Sequence, residues 1–264
     1  TALTEQQSYV PATQASVNYN TNHSPQRKLG SAIATGNEFG YAGGLTADIS
    51  IDCLFQSGMV SGLEQFLLDA NQESAVTIQL GNNRYNKCYA TEASINISPF
   101  APVTLQAKFT CLEPTTGGGI SGDPSIYAGG AIPLDTNKVA YGHKCSITDG
   151  SSVLNNTNSQ ITFSRSYSRS PVYPLGSVNA TEMLLDGVEE QITISSTGVN
   201  KLIDYSGEVL NDTLRVKFVG VGVSDPYVTD LIKFTKGSRV LTQSYSNQGG
   251  ETLTTTSTIK QIKL

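Results

Sequence analysis

The sequence predicts an all-β protein with minor α content: two tandem antiparallel β-sandwich or barrel domains, each carrying one short helix. Three features predict it. Apolar residues alternate with polar ones in several segments, which is the period of strands with one face on a core. Charged residues make up only 15% of the 264 residues, against roughly 25% in an ordinary soluble domain, and the Ser, Thr, Asn, Gln and Gly that replace them are poor helix formers. A Gly/Pro-rich stretch divides two halves that share a motif.

Along the first half, Ser16–Tyr19 is expected to be a short extended piece, followed by a turn at Ser24-Pro25. Ala47, Ile49, Ile51 and Cys53 alternate with Asp48, Ser50 and Asp52, a half-buried strand. Ser61 can cap a helix with Glu64 three residues on, and Leu63, Phe66, Leu67 and Ala70 fall on one face of it. Ala75–Leu80 and Ala93–Ile97 read as strands with turns at Gly81-Asn82-Asn83 and Ser98–Pro102. Val103, Leu105, Ala107, Phe109 and Cys111 give the most regular alternation in the chain.

Pro114–Pro124, extended by Ala128–Ala131, holds glycines, prolines and small polar residues that bury little surface, and predicts a linker. The expected organisation is therefore a first domain over 1–113, a linker over 114–139 and a second domain over 140–264. In the second half, strands are expected at Ile161–Ser164, Gln191–Ile194, Leu214–Val219, Leu231–Phe234, Arg239–Ser244 and Leu253–Ile259, with a helix over Val199–Tyr205. Ser24-Pro25-x-x-x-Leu29-Gly30-Ser31-x-x-Ala34-Thr35 returns 146 residues later as Ser170-Pro171-x-x-x-Leu175-Gly176-Ser177-x-x-Ala180-Thr181. The order of strand, Ser-Pro turn, Leu-Gly-Ser, loop and strand is the same in both halves, which predicts a duplicated domain rather than a short-period solenoid.

Net charge is −5 with Lys and Arg dispersed, so no basic stripe offers a sequence-independent grip on phosphates. The start, Thr1–Glu5, is not expected to be a signal peptide, and no apolar run approaches the roughly 20 residues of a membrane helix. Cys53, Cys88, Cys111 and Cys145 contain no C-x-x-C pair and are expected to be buried thiols of a protein made in a reducing compartment.

No constellation of catalytic residues stands out. His23 lies in a Ser-Pro turn and reads as an exposed polar residue. His143 and Cys145 are two apart and on a strand would point to one face, but structural zinc sites usually show paired ligands and no second pair is present in the sequence. Gly117–Gly122 and Gly40–Gly44 lack the Lys-Ser/Thr of a phosphate loop. Asp48 with Asp52, and Glu189 with Glu190, are carboxylate pairs of the sort that solvated faces carry, and without tryptophan a sugar-cleaving cleft is not indicated. The expectation is no catalytic site, no cofactor and no metal.

Ile161–Ser177, where a strand runs into a turn and then Leu175-Gly176, resembles a stretch of the tail tube proteins of long-tailed bacteriophages. Cys88–Thr110 is similar to that family's closing hairpin. The resemblance implies sandwiches with a flanking helix whose sheets join across subunits into a ring around a lumen. Rings would stack through an N-terminal segment and a long loop such as Phe39–Leu45. A typical member has one domain per chain and forms hexameric rings; two domains here imply homotrimers with pseudo-six-fold symmetry, placed in the virion after assembly in the host bacterial cytoplasm. Partners would be further copies, other tail proteins, and DNA as transient cargo. The alternatives are a baseplate hub or tube initiator, a two-domain adhesin or carbohydrate-binding module, and a hydrolase.

Overall fold

The computed structural model describes residues 12–20, 23–25, 39–41, 46–55, 74–81, 83–115, 139–149, 152–153, 158–177, 179–197, 214–218, 229–234, 239–247 and 253–263. In chain order the strands are β1 (Ala12–Asn20), β2 (His23–Pro25), β3 (Phe39–Tyr41), β4 (Thr46–Leu54), β5 (Val76–Leu80), β6 (Asn83–Ile97), β7 (Thr104–Thr115), β8 (Cys145–Asp149), β9 (Ser152–Val153), β10 (Asn158–Val172), β11 (Glu182–Thr197), β12 (Leu214–Phe218), β13 (Thr229–Phe234), β14 (Arg239–Ser246) and β15 (Thr254–Lys263). A 3-10 turn, Gly142–Lys144, precedes β8 and is the one helical element among the described residues. The protein is thus nearly all-β, and its strand pairs are antiparallel. The helices expected at Ser61–Ala70 and Val199–Tyr205, and the glycines of 117–122, lie outside the described residues.

Strands from both halves form one nine-stranded sheet in the order β1-β4-β7-β6-β10-β11-β15-β14, with β5 paired to β6. The halves were expected to carry separate sheets. Instead β6 hydrogen-bonds β10, with Ile97 opposite Ile161 and Ile95 opposite Phe163. The reason is burial: these four side chains alternate inward on both strands, and all are almost fully excluded from solvent.

The large sheet has register shifts in β1, β10, β6 and β14, among others. One lies between Ala12 and Gln14, opposite Cys53 and Asp52, and one between Asn158 and Gln160, opposite Ser196 and Ser195. Two more lie between Ala90 and Glu92, opposite Phe109 and Lys108, and between Val240 and Thr242, opposite Ile259 and Thr258.

The core follows the alternation. Ile49, Ile51, Ile95, Leu105, Phe109, Phe163, Ile192 and Ile259 share one buried cluster. A four-stranded sheet, β13-β12-β8-β9, contributes Ile147 of β8 to that cluster. Several boundaries differ from expectation. Ser24-Pro25 and Ser170-Pro171, expected in turns, lie in β2 and at the end of β10. β6 starts at Asn83 rather than Ala93 because β5 and β7 both pair with its first half. β7 runs on through Pro114 and Thr115, which pair with Tyr85 and Arg84. Proline is tolerated there because β4, the neighbour on the other side, starts at Thr46 and its pairing with β7 reaches only Ala47 opposite Cys111. Residues 139–142 are bound to the ends of first-half strands: Val103 N–H donates to Ala140 O (2.8 Å), Ala140 N–H to Phe55 O (2.9 Å) and Gly142 N–H to Ala101 O (3.0 Å).

Candidate assembly edges and polar sheet face

Among the described residues, β1 and β14 end the large sheet. β1 is exposed along its length except for half-buried Val17, which packs on the core, and Tyr19 and Tyr245 are large exposed side chains near these two edges. The hydroxyls of Tyr19 and Tyr85 lie 3.0 Å apart. That hydrogen bond, with burial behind it, pushes the Tyr85 phenol above its ordinary range. An unsatisfied strand edge is a template for another strand, and neither edge is blunted by a proline within its strand.

The face turned away from the core is polar and sparsely charged. Asp48 accepts hydrogen bonds from Asn20 Nδ2 (2.6 Å) and Thr110 Oγ1 (2.8 Å), and Asp52 accepts from Gln106 Nε2 (2.7 Å). Lys108 pairs with Glu92 at 2.7 Å and Lys260 with Glu189 at 2.5 Å. Between these points run hydroxyl pairs, Thr193 with Thr258 at 3.2 Å and Ser195 with Thr256 at 3.3 Å. Asp48 and Asp52 are thus separate anchors for cross-strand hydrogen bonds. Exposed ion pairs of this sort add at most about 1 kcal/mol each.

Glu189 and Glu190 point to opposite faces, as period two requires. Glu190 is 1% exposed and pairs with the buried Arg165, and Gln261 donates to its other oxygen. Arg165 also stands over the Phe163 ring, 5.9 Å from its centroid. Further along β10, Arg169 Nε donates to Ala90 O (2.7 Å) and its guanidinium lies over Tyr89 and Tyr167. Burial pushes the Tyr167 phenol upward. Arg165 and Gln261 were not singled out by sequence reasoning, and Glu190, expected with Glu189 on a solvated face, is instead buried, because Arg165 and Gln261 satisfy its carboxylate. The signal was present: Arg165 falls in step with Ile161 and Phe163, Glu190 with Ile192 and Ile194, and Gln261 with Ile259.

The remaining sequence candidates are scattered. His23 is in β2, opposite Tyr41 of β3. His143 is exposed in the 3-10 turn, 6.5 Å from the Phe100 ring and 5.8 Å from Tyr141. Cys145 is half-buried, donates to Tyr141 O at 3.7 Å, and burial pushes its thiol up to about 12. His143 and Cys145 join no cluster of three or more ligand-type residues among the described residues. Gly40 is in β3, whereas Gly43 and Gly44 lie outside the described residues. Among the described residues no helix is long and apolar enough to cross a membrane.

Compared with known proteins, the chain matches no protein-family model and no curated sequence.

Proposed function

We propose that this chain is a structural subunit with a duplicated sheet unit, and that copies join edge to edge into a ring, as in the tail tube of a long-tailed bacteriophage. The observation that carries the reading is the agreement between β1-β4-β7-β6 and β10-β11-β15-β14. Both quartets take first, second, fourth and third strand in the same spatial order. Their irregularities also agree. Ala12 and Gln14 stand 146 residues before Asn158 and Gln160, the spacing of the repeated Ser-Pro and Leu-Gly-Ser motif, and each pair flanks a register shift against the next strand. The shift at Ala90/Glu92 has its counterpart at Val240/Thr242. β-Bulges are specific features of a strand rather than noise, so matched bulges support descent of both units from one.

The seam between the units then serves as the pattern for contact between copies. β6 ends the first quartet and β10 opens the second. β14 ends the second quartet and β1 opens the first, so β14 of one copy can meet β1 of another as β6 meets β10. Such a contact is heterologous, and repetition of it closes into a ring or grows into a fibre. Three copies would bring roughly two dozen strands together, and barrels of that size leave an open channel. The face of Ser, Thr, Asn and Gln with few cations suits a channel through which DNA slides, since each neutralised phosphate adds affinity by counterion release. Among the described residues the exposed aromatics Tyr19, Phe100, Tyr173 and Tyr245 lie on separate elements.

Electron microscopy and light scattering of the purified chain test this directly. The expected result is trimeric rings with six-fold-like symmetry, stacking into tubes at high concentration. A monomer under the same conditions would overturn the reading.

A further inference from the structure

Cys88 on β6 and Cys111 on β7 stand directly opposite each other in the strand register, and both side chains are fully buried. Directly opposed residues in an antiparallel pair have Cβ atoms about 4.5–5.5 Å apart, and a disulfide asks for about 3.5–4.5 Å, so a small closing movement is enough. The two thiols share a hydrogen bond. Cys88 Sγ also lies 3.3 Å from Tyr85 O, and Cys111 Sγ lies 2.9 Å from Asn86 O. Next to Cys88, Lys87 adopts φ 50°, a left-handed conformation that a side-chain-bearing residue holds only at some cost. The backbone is therefore irregular where the sulfur pair sits.

We infer that Cys88 and Cys111 form a two-electron redox site, a cross-strand dithiol that hydrogen peroxide converts into a disulfide tying β6 to β7. The inference is independent of how copies assemble. The roles divide between the two sulfurs. Hydrogen bonding from Cys88 lowers the Cys111 thiol from its ordinary range, whereas the same bond and burial raise Cys88. Cys111, as thiolate, attacks one peroxide oxygen; the O–O bond breaks, a sulfenic acid forms, and the departing hydroxide leaves as water with the Cys111 proton. The Cys88 sulfur then displaces the sulfenic hydroxyl, which departs as a second water with the Cys88 proton. Two thiols are oxidised and one peroxide is reduced to two waters. Small size matters for the oxidant, because the pair has no exposed surface.

The test treats the native full-length chain with dilute hydrogen peroxide. Intact mass should fall by two hydrogens, titratable thiols should drop from the four in the sequence to two, and peptide mapping should link Cys88 to Cys111. A dithiol reductant should restore all four. In Cys88→Ser, whose hydroxyl keeps a donor beside Cys111 but cannot close a disulfide, a dione probe should trap a sulfenic acid on Cys111. Four persistent thiols, a bond to Cys53 or Cys145, or a sulfenic acid trapped elsewhere would each overturn the assignment. Since the main readout uses the unaltered chain, poor folding of the variant does not blunt it.

Discussion

Arg165 and Glu190 face each other across β10 and β11, on the side of the sheet that otherwise carries Phe163, Ile192 and Ile259, and their pairing is completed by Gln261 of β15. One ion pair thereby links three strands beside the seam between the halves. Taking both charges out of water is costly, so the pair need not raise net stability, but either partner left alone would be far worse.

Arg165→Met should therefore destabilise the chain by about 3–5 kcal/mol, because it leaves the Glu190 carboxylate buried without its cation. The triple variant Arg165→Met, Glu190→Leu, Gln261→Leu should recover most of that loss. Urea unfolding followed by circular dichroism compares them; equal losses in both variants would mean the pair is not what the site depends on.

Gly142 has no room for a side chain. A Cβ there would stand 1.9 Å from Ser98 O. Gly142→Ala should cost about 1–3 kcal/mol through forced backbone displacement. It should also loosen the attachment of residues 139–142 to Phe55, Ala101 and Val103, visible as faster amide exchange at Val103 and Ala140.

Phe100, 91% exposed, holds φ 61° in the turn between β6 and β7. Phe100→Gly should stabilise by about 1 kcal/mol, since a left-handed residue with a Cβ carries a penalty of roughly that size. Phe100→Ala should not, because alanine keeps the Cβ. A midpoint shift in thermal unfolding separates the two.

The proposed edge contact has a definite register. At the seam Ser94 stands opposite Ser164 and Ile95 opposite Phe163. Carried to the outer edges through the matched bulges, Ser244 should stand opposite Asn18 of the next copy, with Tyr245 packed on Val17. Mixing Ser244→Cys with Asn18→Cys protein under mild oxidation should give an intermolecular disulfide. Moving one cysteine to the neighbouring position, Val17→Cys, should abolish it, since that side chain points to the other face. Rings that form without this cross-link would refute the register while leaving assembly intact.

Much of the sheet was legible because burial writes itself into the sequence at period two. β4 and β7 occupy the segments where alternation is cleanest, and the expected Leu214, Arg239 and Leu253 strands appear within a few residues of their expected bounds. Lengths were less legible. β11 runs over Glu182–Thr197, although only its centre alternates clearly, because pairing with both β10 and β15 extends it. The seam was not legible at all: nothing local in Ser94 specifies Ser164 as its partner, and only mutual burial of Ile95, Ile97, Ile161 and Phe163 selects it. Of the candidate site, the polar outer face could be read directly. The inward Arg165, Glu190 and Gln261 were hidden by residue type, since polarity suggests an outward position that their place in the alternation contradicts.

The bulges carry one further consequence. An extra residue on one strand bends and twists the sheet locally, and Thr91 and Leu241 occupy matching insertions, one in each quartet. If every copy contributes the same bend, the number of molecules in a closed circle is an angle divided into a full turn. Deleting Thr91 would then alter how many copies meet without touching any surface at which they meet, so subunit count would be inherited as curvature.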